Sequence, residues 1–489
     1  MRTPVFLLSA TALISASMLQ AQSTVRYLNP RDVAEAAKQH ADVVAEFGGA
    51  ETGPRAAYVE TVGRKVAAYS GTANAGQVFH FTTLNSAVEN AFAVPGGYVY
   101  ITRQLMGLMN DEAELAFVVG HETGHIAANH AQQRKSAATR NSILGVLGQV
   151  LGAVVGGGFG NLIAQGAQYS SQLSTLKFSR DQEYQADTLG IRYITSAGYD
   201  PMGSVGMLAA LTRATALESR VQGRDSRSTP EWASTHPLSA NRVQQASALA
   251  RQTGRAGTGL HNRDVFLSHL NGVFVDDDPA QGVIDGRTFT HPLLKLQFSV
   301  PTGYLMSNGS QSVTIAGSGG QAQFSGGRFD GDMPAYVQRV LYQLTEGKTQ
   351  VQLAPLQRTT VNGIPASYTY GQANTSSGPV DVGIFVYQWD ANTAYHFVTL
   401  TKGGAGLTPF GPMFDSVRRI TPAEAAAIKP RVINIVTLQR GDTWQKLASR
   451  MAYRDYQLER FLSLNGLSAA SPVVPGQKVK LVVYGTRRA

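Results

Sequence analysis

No cysteine occurs among the 489 residues. That absence excludes a disulfide scaffold, a thiol nucleophile, thiolate zinc fingers and iron–sulfur clusters. It excludes a lipid-modified N-terminal cysteine too, and leaves His, Asp and Glu to hold any metal. Charged residues are sparse at 15%, and there are only three tryptophans. Apolar residues reach 43%, enough for sizeable cores, so wholesale disorder is excluded. At roughly 100–200 residues per domain the length predicts two to four domains. No repeat with a period of roughly 20–50 residues is present.

The formal charge is +9, and +8 of it falls from Lys429 onward, where eleven Lys/Arg face only Asp442, Asp455 and Glu459. A basic C-terminal module on a near-neutral body predicts an anionic partner surface, whether nucleic acid, anionic lipid or cell-wall polymer. The N-terminus narrows that choice. Arg2 is followed by an apolar or small run, Val5 to Leu19, and then by Gln20–Ala21–Gln22–Ser23. The run is short for a membrane span of about 20 residues. Residues 1–21 are therefore expected to be a cleaved export signal. The expected location is periplasmic or secreted, or peripheral to the envelope membrane, and nucleic acid drops out as a partner. A second uncharged stretch, Ile143 to Ala164, contains seven glycines, including Gly156–Gly157–Gly158. Each glycine costs a helix about 1 kcal/mol against alanine. Two short apolar helical pieces joined by a flexible hinge are expected, with a membrane-touching hairpin as the alternative.

The chain divides by character. Asp32 to Tyr69 is helical, Phe79 to Ile101 carries strands, and Asp111 to about Leu270 is mostly helical. Short alternating runs rich in Thr and Val then predict a mainly β region, with one helix from Met333 to Glu346. The expected boundaries are 1–21 signal, 22–272 mainly helical domain with a small sheet, 273–421 β-rich domain, 422–430 linker and 431–489 basic module.

The chemistry concentrates in His121–Glu122–Thr123–Gly124–His125. Residues four apart on a helix lie about 40° from each other, so both imidazoles can reach one tetrahedral zinc. Glu122 sits beside them as a base for water. Asp111 and Glu114 form a D-x-x-E capping box at the helix start, and Leu115, Val118 and Val119 supply an apolar anchor. The continuation H-E-x-x-H-x-x-G-x-x-H is excluded, because Ala128 and Ala131 stand where Gly and His are required. His130 lies off that register and is expected on the polar face. Glu183 is the candidate third ligand. Asp187, one turn later, can accept the free N–H of a ligand histidine and fix its tautomer. Gly198 and Pro201 end that helix.

The set Asn90-Ala91-Phe92-Ala93-x-Pro95-Gly96-Gly97, HETGH and Ser179-Arg180-x-x-Glu183-x-x-Ala186-Asp187 resembles the H-E-x-x-H zinc metallopeptidases related to CAAX prenyl protease, HtpX and BepA. The resemblance spans roughly residues 50 to 250 and is closer to the exported, soluble members. It implies a gluzincin fold with one zinc per chain, His121, His125 and Glu183 as ligands, and Glu122 as catalytic base. It also implies that the strand through Gly97, Tyr98 and Val99 pairs with an extended substrate. Thr235–His236–Pro237 with Arg242 resembles the family's T-H-P-x-x-x-x-R segment, whose histidine lies near the metal and can fill its open position. Candidate donors to the oxyanion are His236, Arg242 and Tyr184.

Near the C-terminus, Gly441–Asp442–Thr443, the helix that follows, Asn465 and Pro475–Gly476–Gln477 resemble a LysM module. That implies binding to N-acetylglucosamine polymers, above all peptidoglycan, or to outer-membrane components. Trp444 departs from the pattern's aliphatic residue, so docking within the protein is the alternative. The expected fold is multidomain α+β. A mainly helical gluzincin-type peptidase domain with a small sheet comes first, then a mainly β domain, then a small βααβ module. The expected function is a zinc-dependent endopeptidase of the bacterial envelope acting on protein or peptide substrates, including misfolded ones. An envelope-binding or chaperone-like protein with a silent zinc site is the rival, and peptidoglycan peptide cleavage a third reading. Intact Glu122 favours the enzyme, since a structural site has no use for that base.

Overall fold

A computed structural model describes residues 26–133, 178–221, 236, 241–345, 351–375 and 378–485. The expected export signal, the 143–164 stretch with its Gly156–Gly158 hinge, and Thr235 and Pro237 lie outside the described residues. No helix among the described residues is long and apolar enough to cross a membrane.

Helix α1 (Pro30–Glu46) starts on Asn29, whose side chain accepts from the Arg31 amide, with proline at its first position. α2 (Pro54–Ala67) and the short α3 (Ala75–Val78) lead into β1 (His80–Leu84), β2 (Ala91–Val94) and β3 (Tyr98–Thr102). β3 lies in the middle of this sheet, parallel to β1 and antiparallel to β2. This corrects the expectation for Gly97, Tyr98 and Val99. Both flanks of that strand are already hydrogen-bonded within the sheet, so substrate cannot pair there, and β1 and β2 are the outer strands. Gly97, at φ +99°, makes the turn between β2 and β3, where an added Cβ would collide with the Val78 carbonyl.

Five further helices complete the helical body: α4 (Arg103–Leu108), α5 (Glu112–Ala127), α6 (Arg180–Ser196), α7 (Gly203–Val221) and α8 (Arg242–Gln252). α9 (Arg263–Leu270) then leads to β4 (Phe274–Val275). Every residue of α5 except Ile126 is buried. It is a central helix, which explains why its sequence is apolar nearly all round apart from the site residues.

The β-rich region stacks two sheets and one helix. A four-stranded sheet joins β5 (Val283–Asp285), β6 (Thr288–His291), β7 (Leu296–Ser299) and β16 (Arg418–Arg419). The larger sheet is antiparallel and runs through β8 (Leu305–Asn308), β9 (Val313–Gly317), β10 (Gly320–Arg328), β15 (Thr393–Lys402), β14 (Gly378–Gln388) and β13 (Ile364–Thr375). β11 (Gln352–Leu353) and β12 (Gln357–Val361) both pair with β13. β14 shows the period of two. Phe385 and Tyr387 face Phe289 and Phe298 of the small sheet, while Val382, Ile384 and Val386 face Tyr336, Val340 and Leu344 of α10 (Met333–Thr345). The helix expected at Met333 is this α10. After α11 (Gly411–Asp415), the segment 422–430 contains a helix, α12 (Pro422–Ala427), started by a Thr421–Glu424 capping box.

The C-terminal module runs β17 (Arg431–Thr437), α13 (Trp444–Ala448), α14 (Gln457–Leu464) and β18 (Lys478–Tyr484). β4 pairs with β17, so this sheet has three strands, and its third comes from the chain just before the β-rich region. One hydrophobic core runs from Val66, Phe117 and Leu270 through Ile433, Trp444 and Leu481. Trp444 fills that core beside Phe461, and its indole N–H donates to the Ser471 carbonyl at 2.9 Å.

Candidate metal centre

α5 begins at Asp111, whose Oδ1 accepts from the Glu114 amide at 3.0 Å. Glu114 answers one residue earlier than a capping box requires, accepting from the Asn110 amide at 2.8 Å. α6 begins with a full capping box, Ser179 with Gln182. The two helices approach closely because small residues face each other. A Cβ on Gly190 would lie 3.0 Å from the His121 amide nitrogen, and one on Gly124 would lie 3.3 Å from the Ala186 carbonyl oxygen. The near contact brings Glu183 and Asp187 of α6 against the HETGH turn of α5.

Four groups converge there: His121, His125, Glu183 and His236, all buried, with ligand atoms within 4.8 Å of one another. His121 Nε2 and His125 Nε2 are 3.0 Å apart. Glu183 Oε1 lies 3.5 Å from His125 Nε2, and Oε2 lies 3.6 Å from His121 Nε2. Two atoms each about 2.0–2.1 Å from a tetrahedral zinc are about 3.3 Å apart, so this spacing fits such an ion.

The tautomers agree with that fit. His121 Nδ1 lies 2.9 Å from Asp187 Oδ1. An ionised carboxylate only accepts, so His121 carries its hydrogen on Nδ1 and points a lone pair from Nε2. His125 Nδ1 faces His130 Nδ1 at 2.8 Å, and His130 Nε2 faces Gln185 Oε1 at 2.9 Å. The amide oxygen accepts from His130 Nε2–H, His130 Nδ1 accepts from His125 Nδ1–H, and His125 also points a lone pair from Nε2. Two imidazole lone pairs 3.0 Å apart cannot satisfy each other; a cation between them does.

His130 is thus no polar-face residue. It is fully buried. The helix ends at Ala127, and Asn129 adopts φ +59°. The reversal swings His130 back under His125, so helical angles no longer apply. Gln185 and Phe178 carry no motif that marks them for the site; the phenyl ring stacks on His125 at 3.7 Å between centroids. Asn129, of a type that tolerates the left-handed region, was the available signal for His130.

Arg242 is not available to an oxyanion. Its Nε and Nη2 donate to the two Asp187 oxygens at 2.7 and 2.8 Å, and Nη1 lies 2.8 Å from Glu183 Oε2. The guanidinium is committed to holding both carboxylates in place. Tyr184 is exposed, on the face of α6 away from the buried Glu183, Ala186 and Asp187.

His236 reaches the site: its Nδ1 is 2.9 Å from Glu183 Oε1, and its Nε2 is 3.6 Å from Glu122 Oε1. Glu122 is fully buried, and neither carboxylate oxygen has a hydrogen-bond partner among the described residues. Burial keeps His125 well below the ordinary imidazole value, against the pull of Glu183. Burial pushes the Glu183 carboxyl upward, yet His236, His125 and Arg242 outweigh it and hold the group well below the usual carboxylate range.

Beside the centre opens a cleft of about 520 Å³ lined by His125 and Phe178, by Ala93 and Pro95 at the end of β2, and by Tyr27 and Leu28. Arg26 pins its wall, donating to the Ala127 carbonyl at 2.6 Å.

Two histidines one helical turn apart, a glutamate from the next helix and a buried glutamate beside them, with no hydrogen-bond partner among the described residues, form a candidate metal centre. Residues 54–250 match Peptidase family M48, and residues 436–482 match the LysM domain. The chain is 30% identical over 201 residues to the beta-barrel assembly-enhancing protease of Yersinia pestis, covering 40% of this chain and 39% of that protein. It is 29% identical over 186 residues to the mitochondrial metalloendopeptidase OMA1 of Arabidopsis thaliana, covering 36% and 34%. The chain thus spans about two-fifths of the length of the curated relatives it matches. Among solved structures, the cyanobacterial PsbP protein of Synechocystis matches over 28% of this chain and 98% of its own, with 10% identity and a TM-score of 0.23.

Proposed function

We propose that this chain is a zinc-dependent endopeptidase of the bacterial envelope that hydrolyses peptide bonds of misfolded or misassembled proteins. The observation that carries the reading is Glu122: a buried carboxylate, with no hydrogen-bond partner on either oxygen among the described residues, beside a set of donors spaced for one zinc. His121, His125 and Glu183 would hold the ion. Zinc bound there supplies a Lewis acid for the peptide carbonyl and lowers the pKa of a bound water towards about 7. Glu122 takes the proton of the attacking water and returns it to the leaving amine. Asp187 fixes the ring of His121, and the Gln185–His130 pair fixes that of His125. The outer edge of β2 is where an extended substrate backbone would add, running into the cleft beside His125.

His236 supports a refinement. It stands close enough to be a fourth ligand, which would close the open position and leave the resting enzyme inactive. The LysM domain, with exposed Gln439–Gly441 and Ser468–Ala470, supports binding to peptidoglycan. The expected N-terminal signal and the similarity to beta-barrel assembly-enhancing proteases support an envelope location and substrate. The reading is tested by stripping the purified protein with a chelator and restoring it with zinc. Casein digestion that is lost and then regained supports it; digestion indifferent to chelation contradicts it.

A further inference from the structure

The LysM domain is joined to the peptidase domain by more than a linker. β4 adds to its sheet, and Ile433 exchanges backbone hydrogen bonds with the 272–273 segment, accepting from Gly272 at 2.7 Å and donating to Val273 at 2.8 Å. At the centre of the contact is Lys480 of β18. Its side chain is fully buried, and its ammonium donates to the carbonyls of Gly107 at 2.8 Å and Met109 at 2.6 Å. Those carbonyls lie where α4 ends, just ahead of Asp111, the cap of the helix that carries His121, Glu122 and His125. From the other side, Glu114 grips the same turn through the Asn110 amide.

Lys480 is itself held rigidly from within the LysM fold. Asn465, which ends α14, accepts from the Lys480 amide at 2.7 Å and donates to the Lys480 carbonyl at 2.9 Å. The charged groups around the ammonium are Glu114 and Asp111 at the start of α5, Arg213 of α7 and Arg263 of α9. Taking an ammonium out of water is costly unless it is paired and fully hydrogen-bonded. A position that only filled the interface would be met more cheaply by leucine or methionine, so the two carbonyls and the acidic start of α5 are what the amine serves.

We propose that Lys480 is a positioning residue for the active-site helix: the LysM domain forms the fixed base that sets the N-terminus of α5, and through it the metal ligands. This rests on the reading of that site as a metallopeptidase centre, but its test does not depend on turnover.

The test compares three full-length proteins: wild type, Lys480→Met and Ile433→Ala. Ile433→Ala opens a cavity in the same interface, beside Gly107, while leaving both lysine-to-carbonyl hydrogen bonds in place. Hydrogen exchange of the 112–120 amides and the rate of zinc loss to a chelator are measured for each. Leaving two buried carbonyls unpaired should speed exchange at the start of α5 and release of zinc by at least about tenfold in Lys480→Met. Ile433→Ala should loosen β17 and β18 while leaving α5 and zinc release near wild type. Wild-type exchange and release in Lys480→Met, or equal effects in both variants, overturns the proposal. A protein that binds zinc, shows the Lys480 effect and digests nothing defeats the peptidase reading alone. Should Lys480→Met not fold, Lys480→Cys is alkylated in denaturant to its aminoethyl form, which the absence of other cysteines makes selective, and is refolded beside wild type treated alike. Recovery of the wild-type exchange pattern by the alkylated protein, and not by the unalkylated one, supports the role of the amine. Failure of the alkylated protein alone contradicts it.

Discussion

Asp187 and His121 meet at 2.9 Å, carboxylate Oδ1 to imidazole Nδ1, while Arg242 clamps both oxygens of the same carboxylate. The pair places the hydrogen of His121 on the side away from the centre and its lone pair on the side where a metal belongs. Removing Asp187 leaves the ring free to turn and Arg242 partly unpaired. Asp187→Ala is expected to weaken zinc binding by about 10–100-fold, and Glu183→Ala to weaken it further. Competition with a chromophoric chelator measures both; wild-type affinity in the two variants would remove these residues from the site.

Gly190 sets how near α6 comes to α5. Gly190→Val puts branched carbons against the His121 amide, already only 3.0 Å from an added Cβ. Overpacking of this kind costs about 1–3 kcal/mol and here must part the helices that carry the ligands. Zinc content should fall even where far-UV circular dichroism stays native. A Gly190→Val protein with full zinc and an unchanged melting temperature contradicts the close-approach argument.

The sign of the His236→Ala effect separates two roles. If His236 fills the open position in the resting enzyme, its removal raises basal digestion of casein and of a short peptide. If it donates to the oxyanion, activity falls by about 10²–10³. The 2.9 Å contact with Glu183 and membership of the ligand cluster favour the rise.

His261 gives a pH dependence remote from the metal. Its Nδ1 faces Asp111 Oδ2 at 2.7 Å and its Nε2 faces Asp200 Oδ2 at 3.0 Å. Both neighbours only accept, so the ring is doubly protonated. Burial lowers its pKa, but Asp111 and Asp200 outweigh that and raise it above the ordinary value. A raised folded pKa contributes stability that is complete below the unfolded value of about 6.5 and is lost as pH rises through the folded one. The ring is half exposed, so solvent screening keeps the contribution small. The melting-temperature gap between wild type and His261→Gln should be widest near pH 5 and close as pH rises. A gap that widens with pH contradicts the assignment.

How much was legible in the sequence follows from what each feature depends on. HETGH, Glu183 and Asp187 sit on two regular helices, where spacing alone fixes the face, and the structure brings them together. His130 escaped because a single left-handed residue, Asn129, cancels the helical register that the argument used. Arg242 was misassigned because sequence order does not reveal which carboxylates enclose a guanidinium. The strand at Gly97 to Val99 was given to substrate because a strand's own residues do not say whether it lies at an edge. The burial of Lys480 was invisible for a different reason: it sits among alternating β18 residues as any exposed lysine would, and only the packing of two domains puts carbonyls above it.

The most direct measurement is zinc content and casein hydrolysis of Glu122→Gln beside wild type. Gln keeps the shape of the buried side chain and cannot accept a proton. The account predicts full zinc and hydrolysis reduced by at least about 10²-fold. Turnover equal to wild type in a zinc-loaded Glu122→Gln protein would contradict it.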